Sequence, residues 1–311
     1  MRLKLVPEKT SVKFINKRLI AMIISCVLII ASLGLFFNKG LNFGIDFQGG
    51  ILVEIGTEQP ADLKLLRREL GQLGLGDVAI QEFGATTDLL IRVEQQDGGA
   101  TAQKVAVAKI KEKLSALVVG DISYRRVEFV GPKVSGELIR DGILAVVLAV
   151  SAVLIYIWFR FEWQFGVGAV IALVHDVLLT IGMFSLTGLE FNLSVIAAIL
   201  TIVGYSLNDT VVVYDRIREN LRKYRKMDLK ELLNLSLNET LSRTVMTSVT
   251  TLIALFSLFF FGGEVIRGFT AAMIWGVFIG TYSSIFIAAP VLLWFELRRE
   301  PIEADTATSE S

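Results

Sequence analysis

Four residues of this 311-residue sequence could carry ionic chemistry in an apolar setting. His175 and Asp176 stand side by side in one long apolar run, Asp209 stands in the next, and Arg243 borders another. A carboxylate in lipid costs about 2.5–3.5 kcal/mol on insertion scales, so such groups face a bundle interior or a water-filled path. Their neighbours share helical faces with them. Thr201, Tyr205, Asn208 and Asp209 recur at i, i+4, i+7 and i+8, Arg243, Thr247, Thr250 and Thr251 make a similar stripe, and Asp176 aligns with Thr180. The chemistry this suggests is proton or ion transfer, with Asp209 and Arg243 as the relay or ion pair and Asp176, His175, Asn208 and Thr247 in support. The competing reading is a static buried pair among helix-packing polar residues. For His175, a packing or hydrogen-bonding role competes equally with a role in transfer.

Other chemistries are excluded by composition. Cys26 is the single cysteine, which rules out an intramolecular disulfide framework and a Cys-rich metal site. His175 is the single histidine, which rules out a multi-His zinc or di-iron centre. There is no P-loop, dinucleotide glycine pattern or nucleophile elbow, and the Gly49-Gly50 pair opens no helix. The expectation is a chain with no enzyme activity, no metal and no cofactor. With 31 basic and 31 acidic residues, a dominant nucleic-acid surface is not expected either.

The elements that must hold these residues are membrane helices. Apolar residues make up 53% of the chain and charged ones 20%, far from a globular average. Six runs, at 19–37, 142–159, 165–186, 191–214, 244–261 and 269–295, are each long enough to cross about 30 Å of hydrocarbon. The first lacks a small-residue cleavage site after Phe37 and is expected to remain as an anchor. Arg2, Lys4, Lys9, Lys13, Lys17 and Arg18 precede it, and seven basic residues between 216 and 230 separate the fourth and fifth runs. The positive-inside rule then puts both termini in the cytoplasm and residues 38–141 outside. That segment predicts strands at 51–55, 78–83, 89–94 and 122–130 and helices at 61–73 and 101–117, with a turn over 84–88. The order βαββαβ is the ferredoxin-like arrangement. The fold class is therefore a polytopic α-helical membrane protein of six transmembrane helices, with a ferredoxin-like α+β extracytoplasmic domain between helices 1 and 2. Gly276 and Gly280 predict close helix contact, Pro290 a kink in the sixth helix, and the polar residues after Arg299 a disordered tail. The partition is a cytoplasmic basic start (1–18), helix 1 (19–37), the outside domain (38–141), helices 2–6 (142–295) and a polar cytoplasmic tail (296–311).

Several motifs carry a resemblance. FGIDFQGG at 43–50 follows the first span and VGPKVSGEL at 130–138 precedes the second. GYSLNDT at 204–210 and YDRIREN at 214–220 end the fourth, and Ser242, Arg243, Thr244 and the run TSVTT at 247–251 lie on the fifth. In this order, over about 41–295, the chain resembles the SecD/SecF family of protein-export membrane subunits, a branch of the resistance-nodulation-division superfamily, and within it the SecF side. The resemblance implies a cytoplasmic (inner) membrane protein that uses the proton-motive force to assist protein export after the SecA motor has acted. It implies a heterodimer with a separate SecD, association with the SecY-SecE-SecG channel, and contact with exported polypeptides and membrane lipid. Asp209 and Arg243 match the family's proton-pathway positions. The glycines tolerate large backbone changes, so Gly44, Asp46, Gly49, Gly50, Gly131, Pro132 and Gly136 mark the two connections of the outside domain as hinges. A small-molecule exporter of the same superfamily and a non-transporting scaffold remain the alternatives.

Overall fold

The computed structural model describes residues 10–262, 266–295 and 297. Arg2, Lys4, Lys9, Arg298, Arg299 and the polar tail lie outside the described residues. After a 3-10 turn at Ile15–Lys17, helix α1 covers Arg18–Lys39. Strand β1 (Asn42–Phe43) and the one-turn α2 (Ile45–Gln48) lead into β2 (Gly50–Thr57), α3 (Leu63–Gly71), β3 (Val78–Phe83), β4 (Ala85–Val93), α4 (Gly99–Leu117) and β5 (Ile122–Val130). The chain continues through α5 (Pro132–Arg160), α6 (Trp163–Thr187), β6 (Glu190–Phe191), α7 (Leu193–Lys223), α8 (Leu229–Phe261) and α9 (Arg267–Ser283). A π-helical turn, Ser284–Ala288, then α10 (Ala289–Val291) and a 3-10 turn at Leu292–Trp294 complete the sixth long helix.

The described residues hold six helices long and apolar enough to cross a membrane. They are not equivalent. Half or more of the apolar stretch is buried in the third, fourth and sixth, against 11% in the first, second and fifth. α6, α7 and α9 are thus the core of the bundle, and α1, α5 and α8 line its rim. The core helices approach closely where glycine removes a side chain. A Cβ at Gly280 on α9 would lie 3.0 Å from the Cβ of Ser206 on α7, one at Gly276 would overlap Ile202, and one at Gly182 on α6 would overlap Ser32 on α1. Small residues replace the hydrophobic driving force that helices in lipid lack.

Between α1 and α5 lies a four-stranded antiparallel sheet of order β3-β4-β2-β5, the ferredoxin-like topology. Strand alternation sends Ile51, Val53 and Ile55 toward α3 and α4, where Leu66, Leu70, Ala106 and Ile110 cover them. Leu52 points the other way and packs with Ile45 and Leu90. β2 is therefore buried along its whole length. Asp62 opens α3 by accepting the Lys64 and Leu65 amides at 2.9 and 3.1 Å.

Several boundaries differ from those the sequence predicts. α5 begins at Pro132, ten residues before the apolar run, so the expected domain boundary at 141/142 falls inside a continuous helix. Proline suits a first helical turn, whose amides have no intrahelical partner. α8 begins at Leu229, not 244, capped by Asp228, whose carboxylate accepts the Lys230 amide at 2.9 Å. Its polar first half holds the chain ahead of α1, Asn238 and Asn234 accepting the Val12 and Ile15 amides at 2.9 and 3.0 Å. Hydropathy marks where lipid begins, not where a helix begins. The turn expected over 84–88 contracts to Gly84, whose φ of 88° lets β4 start at once. Pro290 sits just after the π-helical turn. In a regular α-helix it would leave the Phe286 carbonyl without an N–H donor and its ring would crowd that carbonyl, and the wider π-helical turn just before it relieves both.

Candidate functional site

Asp176 lies on α6 at 1% exposure, beside His175 at 2%. Its Oδ2 accepts the hydroxyls of Ser206 on α7 at 2.6 Å and Ser283 on α9 at 2.8 Å. Its Oδ1 stands 2.9 Å from Nδ1 of His175. Nε2 of the same ring is 3.2 Å from the Ser25 hydroxyl on α1, which is 3.0 Å from the Tyr282 hydroxyl. Tyr282 donates to the Ala21 carbonyl at 2.8 Å and stacks on the imidazole, with ring centroids 5.9 Å apart. One polar chain thus joins α7 and α9 to α1 through α6. Thr180, which shares the helical face of Asp176, donates to that residue's backbone carbonyl instead.

Asp209 is held differently. The Thr244 hydroxyl on α8 donates to Oδ1 at 2.5 Å, and Oδ2 is buried with no hydrogen-bond partner among the described residues. The ion pair with Arg243 that sequence depth allows is not formed among the described residues. Successive helical residues point about 100° apart, so Thr244 faces Asp209 and Arg243 turns to the exposed outer side of α8. Asn208 is exposed for the same reason. Thr247 is exposed as well, and its hydroxyl bonds back to the Arg243 and Thr244 carbonyls at 3.1 and 3.0 Å. Arg243, Asn208 and Thr247 are therefore exposed polar residues on the two helices that hold Asp209 and Thr244, and none of them hydrogen-bonds Asp209 among the described residues.

The π-helical turn stands between the two carboxylates. Ser283 reaches Asp176, while Ser284 lies 2.8 Å from the hydroxyl of Thr210, the residue after Asp209. The Tyr214 hydroxyl donates to the Ala288 carbonyl at the end of the turn, 3.1 Å away. At the far end of α7, Asp215 pairs with Arg160, Arg216 with Glu219 and Glu239, and Asn220 donates to Ser236 and Glu239.

The motif glycines and their neighbours seat the sheet domain on the bundle. β1 pairs in parallel with β6. The Asp46 carboxylate accepts the Leu193 amide at 2.8 Å, placing negative charge at the N-terminus of α7. Gly44 passes so close to Glu190 that a Cβ would meet its carboxylate at 2.6 Å. Gly49 and Gly50 have φ of 73° and 117°, and a Cβ at Gly50 would lie 2.5 Å from the Val93 carbonyl oxygen. Gly131 precedes α5, Pro132 is in its first turn and Gly136 is within it. The Ser135 hydroxyl donates to the Phe47 carbonyl at 2.5 Å and joins the two motifs. Arg92 on β4 reaches down to Glu190 at 3.1 Å and to the Phe43 carbonyl at 3.2 Å. A cleft of about 390 Å³ beside this contact separates the sheet from the membrane loops.

Sequence reasoning named the charged members of these sites and missed their hydroxyl partners. Ser25 stands alone in an apolar run, Ser206 lies within GYSLNDT, and Tyr282 and Ser283 belong to the short polar run TYSS at 281–284. For Ser206 a signal exists, a position opposite a glycine, since it faces Gly280.

The chain is similar to known proteins of one family. The family described as Protein export membrane protein SecD/SecF, C-terminal, matches residues 109–298, and the SecD/SecF GG Motif matches residues 34–61. The chain is 48% identical to the protein translocase subunit SecF of Rickettsia bellii (strain OSU 85-389), over 94% of this chain and 96% of that one. The crystal structure of SecDF from Thermus, a translocon-associated membrane protein, superposes with a TM-score of 0.84 at 36% identity, covering 93% of this chain and 39% of SecDF. SecDF in its super-membrane-facing form gives 0.66 at 35% identity over the same shares. The chain belongs to the SecD/SecF family of protein-export membrane proteins, on its SecF side.

Proposed function

We propose that this chain is the ion-coupled SecF half of a protein-export machine, with Asp209 as its exchanging proton site. The observation that carries this reading is the half-satisfied carboxylate of Asp209. A buried ionised carboxylate is costly when its oxygens are not all hydrogen-bonded, and protonation removes that charge. A charge crossing the membrane potential yields about 2.3 kcal/mol per 100 mV. Protonation from one side and release to the other would therefore bias a two-state bundle by a similar amount.

The exposed polar residues of α7 and α8 support a heterodimer. Asn208, Arg243 and Thr247 are costly against lipid, and a second six-helix subunit of the SecD type covers them. The similarity to SecDF supports such a pairing: this chain covers 39% of that polypeptide, which leaves room in it for a SecD-type half. The remaining assignments are the SecY-SecE-SecG channel and exported chains as partners, the cytoplasmic membrane as location, and both termini on the cytoplasmic side.

The outside domain is the moving part in this reading. It is built around a packed apolar core and holds only about 100 residues, which weighs against a small-molecule exporter. The unequal fit to the two SecDF forms, at equal coverage, is what a repositioned domain would produce. Gly49 and Gly50 supply the flexible connection, and the Arg92–Glu190 pair supplies a releasable contact.

The test is Asp209→Asn, which keeps the shape and removes the titratable oxygen. Normal subunit abundance with loss of the ion-driven part of export is expected, the ATP-driven part remaining. Normal abundance with normal ion-driven export would falsify the assignment.

A further inference from the structure

The polar chain around His175 contains more contacts than a neutral imidazole can furnish with protons. Four contacts run in series: Asp176 Oδ1 to His175 Nδ1, His175 Nε2 to Ser25, Ser25 to Tyr282, and Tyr282 to the Ala21 carbonyl. Each needs one hydrogen between its heavy atoms. A carboxylate brings none, a neutral imidazole one, and the two hydroxyls one each. That leaves one contact empty, with two lone pairs facing each other. The Ala21 carbonyl only accepts, so Tyr282 must donate to it. Ser25 must then donate to Tyr282, and only Nε2–H can fill the contact between Ser25 and His175. The fourth hydrogen then lies between Nδ1 and Oδ1 of Asp176. Oδ2 already accepts two hydroxyls, and imidazole is the stronger base of the two, which places it on Nδ1 as a donor. Side-chain tautomers are assigned through their networks in this way.

We propose that the His175–Asp176 pair binds one further proton and is held as an imidazolium–aspartate pair, a second proton site that fastens α1 to the bundle. The charge balance agrees. Both residues are almost fully buried, and no Lys, Arg or Glu pairs with either among the described residues. A lone carboxylate there would be an uncompensated buried charge, whereas the protonated pair is neutral overall. The groups facing the pair from the other helices are hydroxyls: Ser25 on α1, Ser206 on α7, and Ser283 and Tyr282 on α9. Loss of the proton opens one contact of the chain that ties α1, the helix leading into the sheet domain, to α6 and α9. The site is independent of the role assigned to Asp209.

The chain holds a single histidine, so nitrogen NMR of histidine-labelled full-length protein in lipid bilayers at neutral pH reads this ring alone. Two proton-bearing ring nitrogens are expected, and a ring with one bare nitrogen overturns the proposal. Tyr282→Phe deletes one hydroxyl and two contacts, leaving a neutral imidazole sufficient for the rest. The expected result is loss of the Nε2 proton signal, and persistence of both N–H signals in that variant overturns the counting. Ser25→Ala removes the Nε2 acceptor and gives the same expected loss should Tyr282→Phe fail to accumulate.

Discussion

Asp176 and Asp209 stand on neighbouring helices of one bundle, and their surroundings are opposite. Asp176 has partners on both oxygens, drawn from α6, α7 and α9, and is 1% exposed. Asp209 has one partner, from α8, an orphaned oxygen and 8% exposure. The first arrangement resists change because any movement breaks several bonds together. The second leaves one oxygen unpartnered, so fewer bonds tie the carboxylate to its neighbours. An acid in a membrane is thus not functional by its presence alone, and under the proposal the donors around each oxygen are what separate a fastener from an exchanger.

The strongest way to break this comparison is to remove each carboxylate in turn. Asp176→Ala strips the partner from His175, Ser206 and Ser283, and a loss of about 3–5 kcal/mol is expected. Subunit abundance and detergent melting should both fall, and near-normal values would mean that Asp176 is not the fastener. Gly280→Val comes next. Its added carbons push Ser206 away from α9 and should cost about 1–3 kcal/mol through overpacking, with loss of the α7–α9 contact detectable by cysteine cross-linking. Ser206→Ala removes one of two hydroxyls on Asp176 Oδ2, for an expected cost of about 0.6 kcal/mol, and melting should shift little because Ser283 remains. The smallest effect on stability is expected at Asp209→Asn. Melting should stay within about 0.6 kcal/mol of the parent, since only the Thr244 hydrogen bond changes. A drop as large as that of Asp176→Ala would make the two acids equivalent and end the distinction.

The sequence made the six spans and the sheet topology legible because both rest on strong periodic signals. β5 at Ile122–Val130 and β3 at Val78–Phe83 fall where alternation places them. Helix ends were less legible. The polar first half of α8 is stabilised by Asp228 and by Asn234 and Asn238 holding residues 12 and 15, contacts more than two hundred residues apart that hydropathy does not register. At the candidate site, the ionisable residues were visible as costly exceptions in apolar runs. Their partners were not, because a lone serine such as Ser25 costs little in a helix and acquires meaning only from what faces it. The sequence suggests Asp209 and Arg243 as an ion pair, and azimuth separates them: one residue along α8 exchanges a threonine facing inward for an arginine facing outward.

The continuity of α5 has a mechanical consequence. Its 29 residues span about 43 Å at about 1.5 Å each, while a hydrocarbon core is about 30 Å thick. Some two turns of the same rigid rod therefore stand clear of the lipid and carry β5 directly. In the proposed cycle Gly49 and Gly50 would be the swivel opposite this shaft. A body mounted on one shaft and one swivel would have a preferred axis, so tilting the buried length of the shaft would turn the sheet as a unit.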